Sequence, residues 1–276
     1  MCITLKQMSK KTTTTTTTTV VTTVEETPSK SKTVYYKFIL DRSGSMASIQ
    51  KPTIDSYNEQ IVSLKRLQNE FPDRKYIVSL IIFDDVIETI INDKPVNEVQ
   101  PLGYDTYVPR GATALRDAIG KTIQETKINV GKLLTENIDE NECMITVLTD
   151  GYENASKEFN NSSLRTLINE VNEKKNWTLM FIGATADSIL AARDYGFSAG
   201  NTATGNFTSD GIKVMNTAMS NVMYRRAHAA TKGVDLDKEQ TLSFVSDISG
   251  TMTSSLDLSD IDQMAENKEK NDEAES

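Results

Sequence analysis

The chain has 276 residues, 38% hydrophobic and 25% charged, enough for one large soluble domain or two small ones. Its net charge of −9 comes without a basic stripe, which argues against nucleic acid as the main partner, because phosphate binding needs clustered Lys and Arg. No run approaches the roughly 20 apolar residues of a membrane span, the first residues lack the apolar core of a secretory signal, and the two cysteines, Cys2 and Cys143, suggest no structural disulfide. Together these features predict a cytoplasmic protein that does not associate with membranes.

Residues 1–32 are low in complexity, with eight consecutive Thr at 12–19 and five Lys against two Glu. Too few apolar side chains are present to offset the entropy of ordering, so a disordered leader is expected. From Thr33 the pattern changes. VYYKFIL reads as a buried strand that stops at Asp41, followed by Arg42-Ser43-Gly44-Ser45. Residues 47–70 space Ile54, Tyr57, Ile61, Leu64 and Leu67 as a helix does, with Pro52 tolerable in an early turn. YIVSLIIF at 76–83 predicts a second buried strand. Asp84-Asp85 then turns the chain into VIETIIN, an antiparallel edge strand. After an irregular connection over 93–110, a helix starts near Thr113.

Alternation continues with a strand over CMITVLTD at 143–150, a helix over 164–176, a strand over WTLMFIGA at 177–184 and a helix over 187–196 stopped by Gly196. A short sixth strand is expected near Phe197–Ala199, then a helix over 207–230 with Met215, Met219, Val222 and Met223 on one face. Strands alternating with helices predict a doubly wound α/β fold, a mostly parallel sheet with one antiparallel edge strand and helices on both faces. The expected division is a leader over 1–32, one domain over 33–230, and a disordered tail over 231–276. Residues 257–276 carry eight acids against two Lys. Within that tail, 255–265 has the makings of a short docking helix, but a solvated tail is the expectation.

Three loops carry oxygen: Asp41-Arg42-Ser43-Gly44-Ser45, Gly111-Ala112-Thr113 and Thr149-Asp150-Gly151. Open parallel sheets bind ligands outside the carboxyl ends of their strands, where the strand order reverses. With the first strand central, two carboxylates and three hydroxyls surround one point. That is an all-oxygen set suited to Mg²⁺ or Mn²⁺ and not to a zinc site of Cys and His, since the chain has a single His. Asp84-Asp85 reads as a turn, and Arg42, Arg110, Tyr152 and Glu153 as rim residues. Cys143 and Trp177 read as core, and His228 as surface.

Asp-x-Ser-x-Ser, then Thr in GATAL, then LTDG resembles a von Willebrand factor A (VWA) domain with its metal-ion-dependent adhesion site. DRSGSM, Tyr57-Asn58, IIFDD, PRGATALRDAIGKT, LTDGYENAS and FIGATADSI, in this order, resemble an intracellular branch of such domains found in bacteria and phages. The resemblance spans about residues 34 to 226. It implies that Asp41, Ser43, Ser45, Thr113 and Asp150 hold Mg²⁺, with Mn²⁺ as an alternative, some directly and others through water. It also implies a protein partner that supplies Glu or Asp to an open coordination position. A cytoplasmic place, or the virion if phage-encoded, goes with it.

Two other classes stand beside this one. The tails suit an assembly component attached through its ends. An Asp after the first strand also suits a Mg²⁺-dependent phosphohydrolase. Such enzymes, however, place a second carboxylate two residues on, where this chain has Ser43, and no nucleophile elbow or Walker loop is present. A non-enzymatic binding module is the expectation.

Overall fold

The computed structural model describes residues 31–138, 140–204, 208–234, 236 and 258–275. Most of the expected leader therefore lies outside the described residues, as does much of the tail. Six strands form one sheet: β1 (Lys32–Asp41), β2 (Arg74–Phe83), β3 (Ile87–Pro95), β4 (Asn141–Thr149), β5 (Trp177–Gly183) and β6 (Thr202–Thr204). Their order is β3-β2-β1-β4-β5-β6, with β3 antiparallel at one edge and every other pairing parallel. The helices are α1 (Gln50–Glu70), α2 (Leu115–Asn129), α3 (Gly131–Glu136), α4 (Asn161–Asn172), α5 (Ala186–Tyr195), α6 (Ser209–Thr231) and α7 (Ser259–Glu275). This is a Rossmann-like doubly wound α/β fold.

The two-residue period of each strand divides the core into two layers. Tyr36, Phe38 and Leu40 of β1, Leu80 and Ile82 of β2, and Met144 and Leu148 of β4 meet Tyr57 and Leu64 of α1 and Met215, Met219 and Met223 of α6. The opposite residues Ile39, Phe83, Ile145, Val147 and Phe181 meet Ile119 of α2, Leu164 and Ile168 of α4, and Ala192 of α5. Burial on both faces explains why these strands read as near-continuous apolar runs. The edge strand β3 has only half-buried and exposed residues instead. Cys143 and Trp177 lie in the core as expected, and the Cys143 thiol is free.

Local chemistry sets the helix limits. The Asn160 and Thr185 side chains each accept a hydrogen bond from the amide three residues on, and their own backbone amides donate to the hydroxyls of Ser163 and Ser188 in return, fixing the starts of α4 and α5. Gly196 ends α5 with φ of 103°, a conformation that favours glycine. Three boundaries differ from the sequence expectation. The first helix begins as a 3-10 turn over Gly44–Ile49, and the second expected helix breaks at Val130 into α2 and α3. The sixth strand is Thr202–Thr204, not Phe197–Ala199, because Phe197 packs edge-on against Phe181 in the core. The largest difference lies in the acidic tail, where α7 replaces solvated chain over Ser259–Glu275. Ile261 is fully buried, Asp260 pairs with Arg225, and Asp262 lies 3.1 Å from His228. The net acidity of the segment hid one apolar residue flanked by two carboxylates that face basic side chains of α6. The same contact leaves His228 only about one-fifth exposed and stacked on Tyr224, not the surface residue the sequence suggested.

Candidate metal centre

β1 pairs with β2 on one side and β4 on the other, so the strand order reverses between β1 and β4. Asp41 ends β1, and Asp150 follows β4 directly. Both loops therefore open at the switch point, where a crevice forms because the chain leaves the two strands in opposite directions. Arg110 N–H donates to Arg42 O, and Gly44 N–H donates to Gly111 O, so the loop before α2 lies across the first loop. Thr113 arrives from that third direction.

Asp41 is fully buried, and both its oxygens are held. Oδ1 accepts the Ser43 amide at 2.7 Å and Oδ2 accepts the Thr149 hydroxyl at 2.5 Å. Ser43 Oγ lies 3.1 Å from Ser45 Oγ, and Ser45 Oγ donates to Asp150 Oδ1 at 2.8 Å. Thr113 is clamped by Asn154, whose side-chain oxygen accepts the Thr113 amide at 2.8 Å while its own amide donates to Thr113 O at 3.0 Å. Gly151 shows how tightly these groups converge. A Cβ placed there would lie 3.2 Å from Thr113 Oγ1, 3.3 Å from Asp41 Oδ2 and 3.5 Å from Ser43 Oγ. Oxygens from two loops thus face one point beside a third, and Ser45 and Asp150 continue the same chain of contacts.

The electrostatics match the geometry. Burial raises the Asp41 carboxyl to about 6, against the lowering effect of the Thr149 and Ser43 hydrogen bonds, and the neighbouring Asp150 charge raises it further. Burial also raises Asp150, with the Ser45 hydroxyl opposing. Two desolvated carboxyls that disfavour their own charge, with hydroxyls as their nearest neighbours, make a donor set for a hard divalent cation. Among the described residues no group of three or more His, Cys, Asp or Glu is placed to hold a metal, so hydroxyls supply the balance of any shell formed here. That composition fits Mg²⁺ or Mn²⁺.

The rim differs from the sequence expectation. Arg42 is buried, not at the surface: it donates to Asp84 Oδ2 at 2.8 Å and reaches Glu88 at 2.7 Å. Asp84 is fully buried and also accepts Arg110 Nε at 2.9 Å and the Val86 amide at 2.7 Å. Burial opposes ionisation of Asp84, but the Arg110, Val86 and Arg42 hydrogen bonds hold its carboxyl below the usual range. The turn therefore contains an ion-pair hub that braces the first loop. Glu153 also faces inward, accepting the Arg116, Ala155 and Ser156 amides. Arg110 and Tyr152 remain exposed. Two further supports carry no sequence signature. One is the Thr149 hydroxyl on Asp41, visible only as part of LTDG; the other is Tyr107, whose buried hydroxyl donates to Asp41 O from an irregular loop.

Strand order, antiparallel edge strand and loop cluster together define the class: this is the fold of VWA domains. No family model matches the chain, and no curated protein matches it. Among solved structures, VWA2, the ArnB paralog of Sulfolobus acidocaldarius, is similar at 18% identity and a TM-score of 0.42, covering 68% of this chain and 44% of that one. Proximal thread matrix protein 1 of the mussel byssus, with a zinc-occupied MIDAS motif, is similar at 18% identity and a TM-score of 0.43, covering 69% and 46%. Manganese-loaded TRAP protein of Plasmodium vivax is similar at 15% identity and a TM-score of 0.45, covering 67% and 72%. The chain spans less than half the length of the first two.

Proposed function

We propose that the chain is an intracellular VWA module of bacterial or phage type that binds a protein partner in a metal-dependent way. In this reading Asp41, Ser43, Ser45, Thr113 and Asp150 hold Mg²⁺, or Mn²⁺, and a Glu or Asp of the partner joins them. The observation that carries it is the approach of Thr113, Asp41 and Ser43 oxygens to within 3.2–3.5 Å of one point beside Gly151.

When bound, the cation supplies a Lewis-acidic centre with a position open to a carboxylate. The chain's own groups do the rest. Ser43 N–H and Thr149 Oγ hold the Asp41 carboxylate in one orientation, and Asn154 holds Thr113 at the start of α2. Without a cation the mouth presents two carboxyls, which repel an acidic partner, so the sign of the site depends on loading. Neutral hydroxyls in the majority leave the centre's charge unquenched for the incoming group.

The residue pattern favours binding over hydrolysis: a phosphohydrolase of this plan needs a general-acid carboxylate two residues after Asp41, where this chain has Ser43, whose hydroxyl cannot act as a general acid. Titration with Mn²⁺, followed by electron paramagnetic resonance, should show one site that is lost in both Asp41→Ala and Thr113→Ala. A pull-down from the native host should then recover a partner with Mg²⁺ and lose it with EDTA or in the Asp41→Ala/Ser43→Ala variant. Identical partner sets under all three conditions would sink the proposal.

A further inference from the structure

The turn between β2 and β3 does more than reverse the chain. Arg42 lies between two candidate donors, Asp41 and Ser43, and Arg110 lies three residues before another, Thr113. Their guanidinium groups converge on the same two oxygens. Asp84 Oδ2 accepts Arg42 Nε at 2.8 Å and Arg110 Nε at 2.9 Å. Glu88 Oε1 accepts Arg42 Nη2 at 2.7 Å and Arg110 Nη2 at 3.2 Å. Two arginines from two donor loops thus close a ring on two carboxylates of one hairpin. The backbone repeats the link: Arg42 N–H donates to Phe83 O at 2.8 Å, Arg110 N–H to Arg42 O at 2.7 Å, and Ala114 N–H to Asp84 O at 2.8 Å. Asp84 therefore holds residues on either side of Thr113 as well as the one between Asp41 and Ser43. Gly111 seats the same loop on the turn, since its φ of 66° favours glycine and a Cβ there would run into Asp85 Oδ1.

Stability does not account for such a ring. The Arg110 side chain is more than half exposed, and ion pairs of that kind add little to folding. Net field does not account for it either, because two cations against two anions nearly cancel at the centre. What is left is geometry. A planar guanidinium fork fixes both the direction and the distance of the carboxylates it meets. Sites built from oxygen donors separate small from large divalent cations by cavity size and rigidity, and Mg²⁺ and Mn²⁺ demand a tighter shell than Ca²⁺. Loops that are free to move apart would lose that distinction.

We propose that Arg42, Asp84, Glu88 and Arg110 are positioning residues that fix the separation between the Asp41–Ser45 loop and Thr113, and with it the preference of the centre for a small cation over Ca²⁺. This rests on the metal-binding reading above and adds to it the source of cation selectivity. Arg110 is then a brace between the donor loops, not a charge held free for the partner.

Calorimetric titration of the full chain with Mn²⁺ and with Ca²⁺, in the parent, Arg110→Gln and Arg110→Lys, tests this. The exposed Arg110 side chain can change without unfolding the protein, and a thermal melt in EDTA checks that. If charge alone mattered, removing a cation beside the centre would tighten Mn²⁺. Positioning predicts the opposite sign: Arg110→Gln weakens Mn²⁺ about tenfold or more and Ca²⁺ much less, so the preference for Mn²⁺ narrows. Arg110→Lys recovers part of the loss, because an ammonium keeps the charge but not the fork. Hydrogen exchange in EDTA adds a readout without metal. The Gly44 amide, which bonds Gly111 O across the two loops, should exchange faster in Arg110→Gln while β1 and β4 amides do not change. Unchanged or tighter Mn²⁺ binding in Arg110→Gln, or equal losses for Mn²⁺ and Ca²⁺, would overturn the proposal and leave metal binding standing. Absence of Mn²⁺ binding by the parent would overturn the metal-binding reading, and the proposal with it.

Discussion

Gly151 has little room to change beside the candidate metal centre. Its φ is not positive, so the backbone accepts a side chain, but a Cβ would stand among the oxygens of Thr113, Asp41 and Ser43. Gly151→Ala is therefore expected to weaken Mn²⁺ binding about tenfold or more, roughly 1.4 kcal/mol, while the melting temperature in EDTA stays near the parent value. Calorimetric titration beside a thermal melt separates the two effects. Thr149 acts one contact further out. Its hydroxyl holds Asp41 Oδ2, so it orients a carboxylate of the candidate centre, in the way outer groups tune many metal sites. The five oxygen-bearing residues were legible in the sequence because their types and spacing are unusual together. Thr149 and Tyr107 were not, because a buried hydroxyl in a strand end or loop has no pattern of its own.

At the scale of the element, α7 is the part of the chain that local pattern described worst. Its composition is that of a solvated acidic tail, and the decision to dock rests on tertiary partners. Arg225 is buried on α6 and meets both oxygens of Asp260, while Ile261 is fully buried beside it. An isolated helix of 17 residues with so few apolar positions is marginal in water, so the docking contacts sustain it. Ile261→Ala is expected to raise hydrogen exchange across Ser259–Glu275 selectively, with the loss of apolar contact worth about 2 kcal/mol or more locally, while exchange in β1 and β4 stays slow. Uniform acceleration throughout the sheet would show that α7 is integral to the fold instead of attached to it.

The whole molecule has a buried charge cluster at the amino end of its sheet. Burial alone would raise the Glu142 carboxyl, but Arg226, Arg74 and Lys32 reverse this and hold it well below the usual range. A depressed carboxyl contributes stability that is present above its unfolded value, about 4.3, and is lost as the pH falls from there toward the folded value. Glu142→Gln should cost about 3–5 kcal/mol at pH 7, because it leaves buried guanidinium groups without their carboxylate. The same variant should lose part of the parent's decline in stability below about pH 4. Denaturant melts of both proteins across that range compare the slopes, and parallel curves would show that Glu142 is not the group responsible.

The sequence by itself determined the strands and most helices, because burial on two faces demands apolar runs of strand length, and amphipathic helices must cover them. It also picked out the oxygen-bearing residues of the candidate centre, since Asp, Ser and Thr at those spacings sit in loops that end strands. Only the tertiary structure decided that β1 and β4 are neighbours at the switch point, which turns three separate loops into one cluster. It likewise decided which rim residues turn inward to brace the loops, that α7 docks, and that Glu142 meets Lys32, Arg74 and Arg226 at the opposite end of the sheet. Each of these depends on side chains more than thirty positions apart meeting in space, and no local spacing records such a meeting.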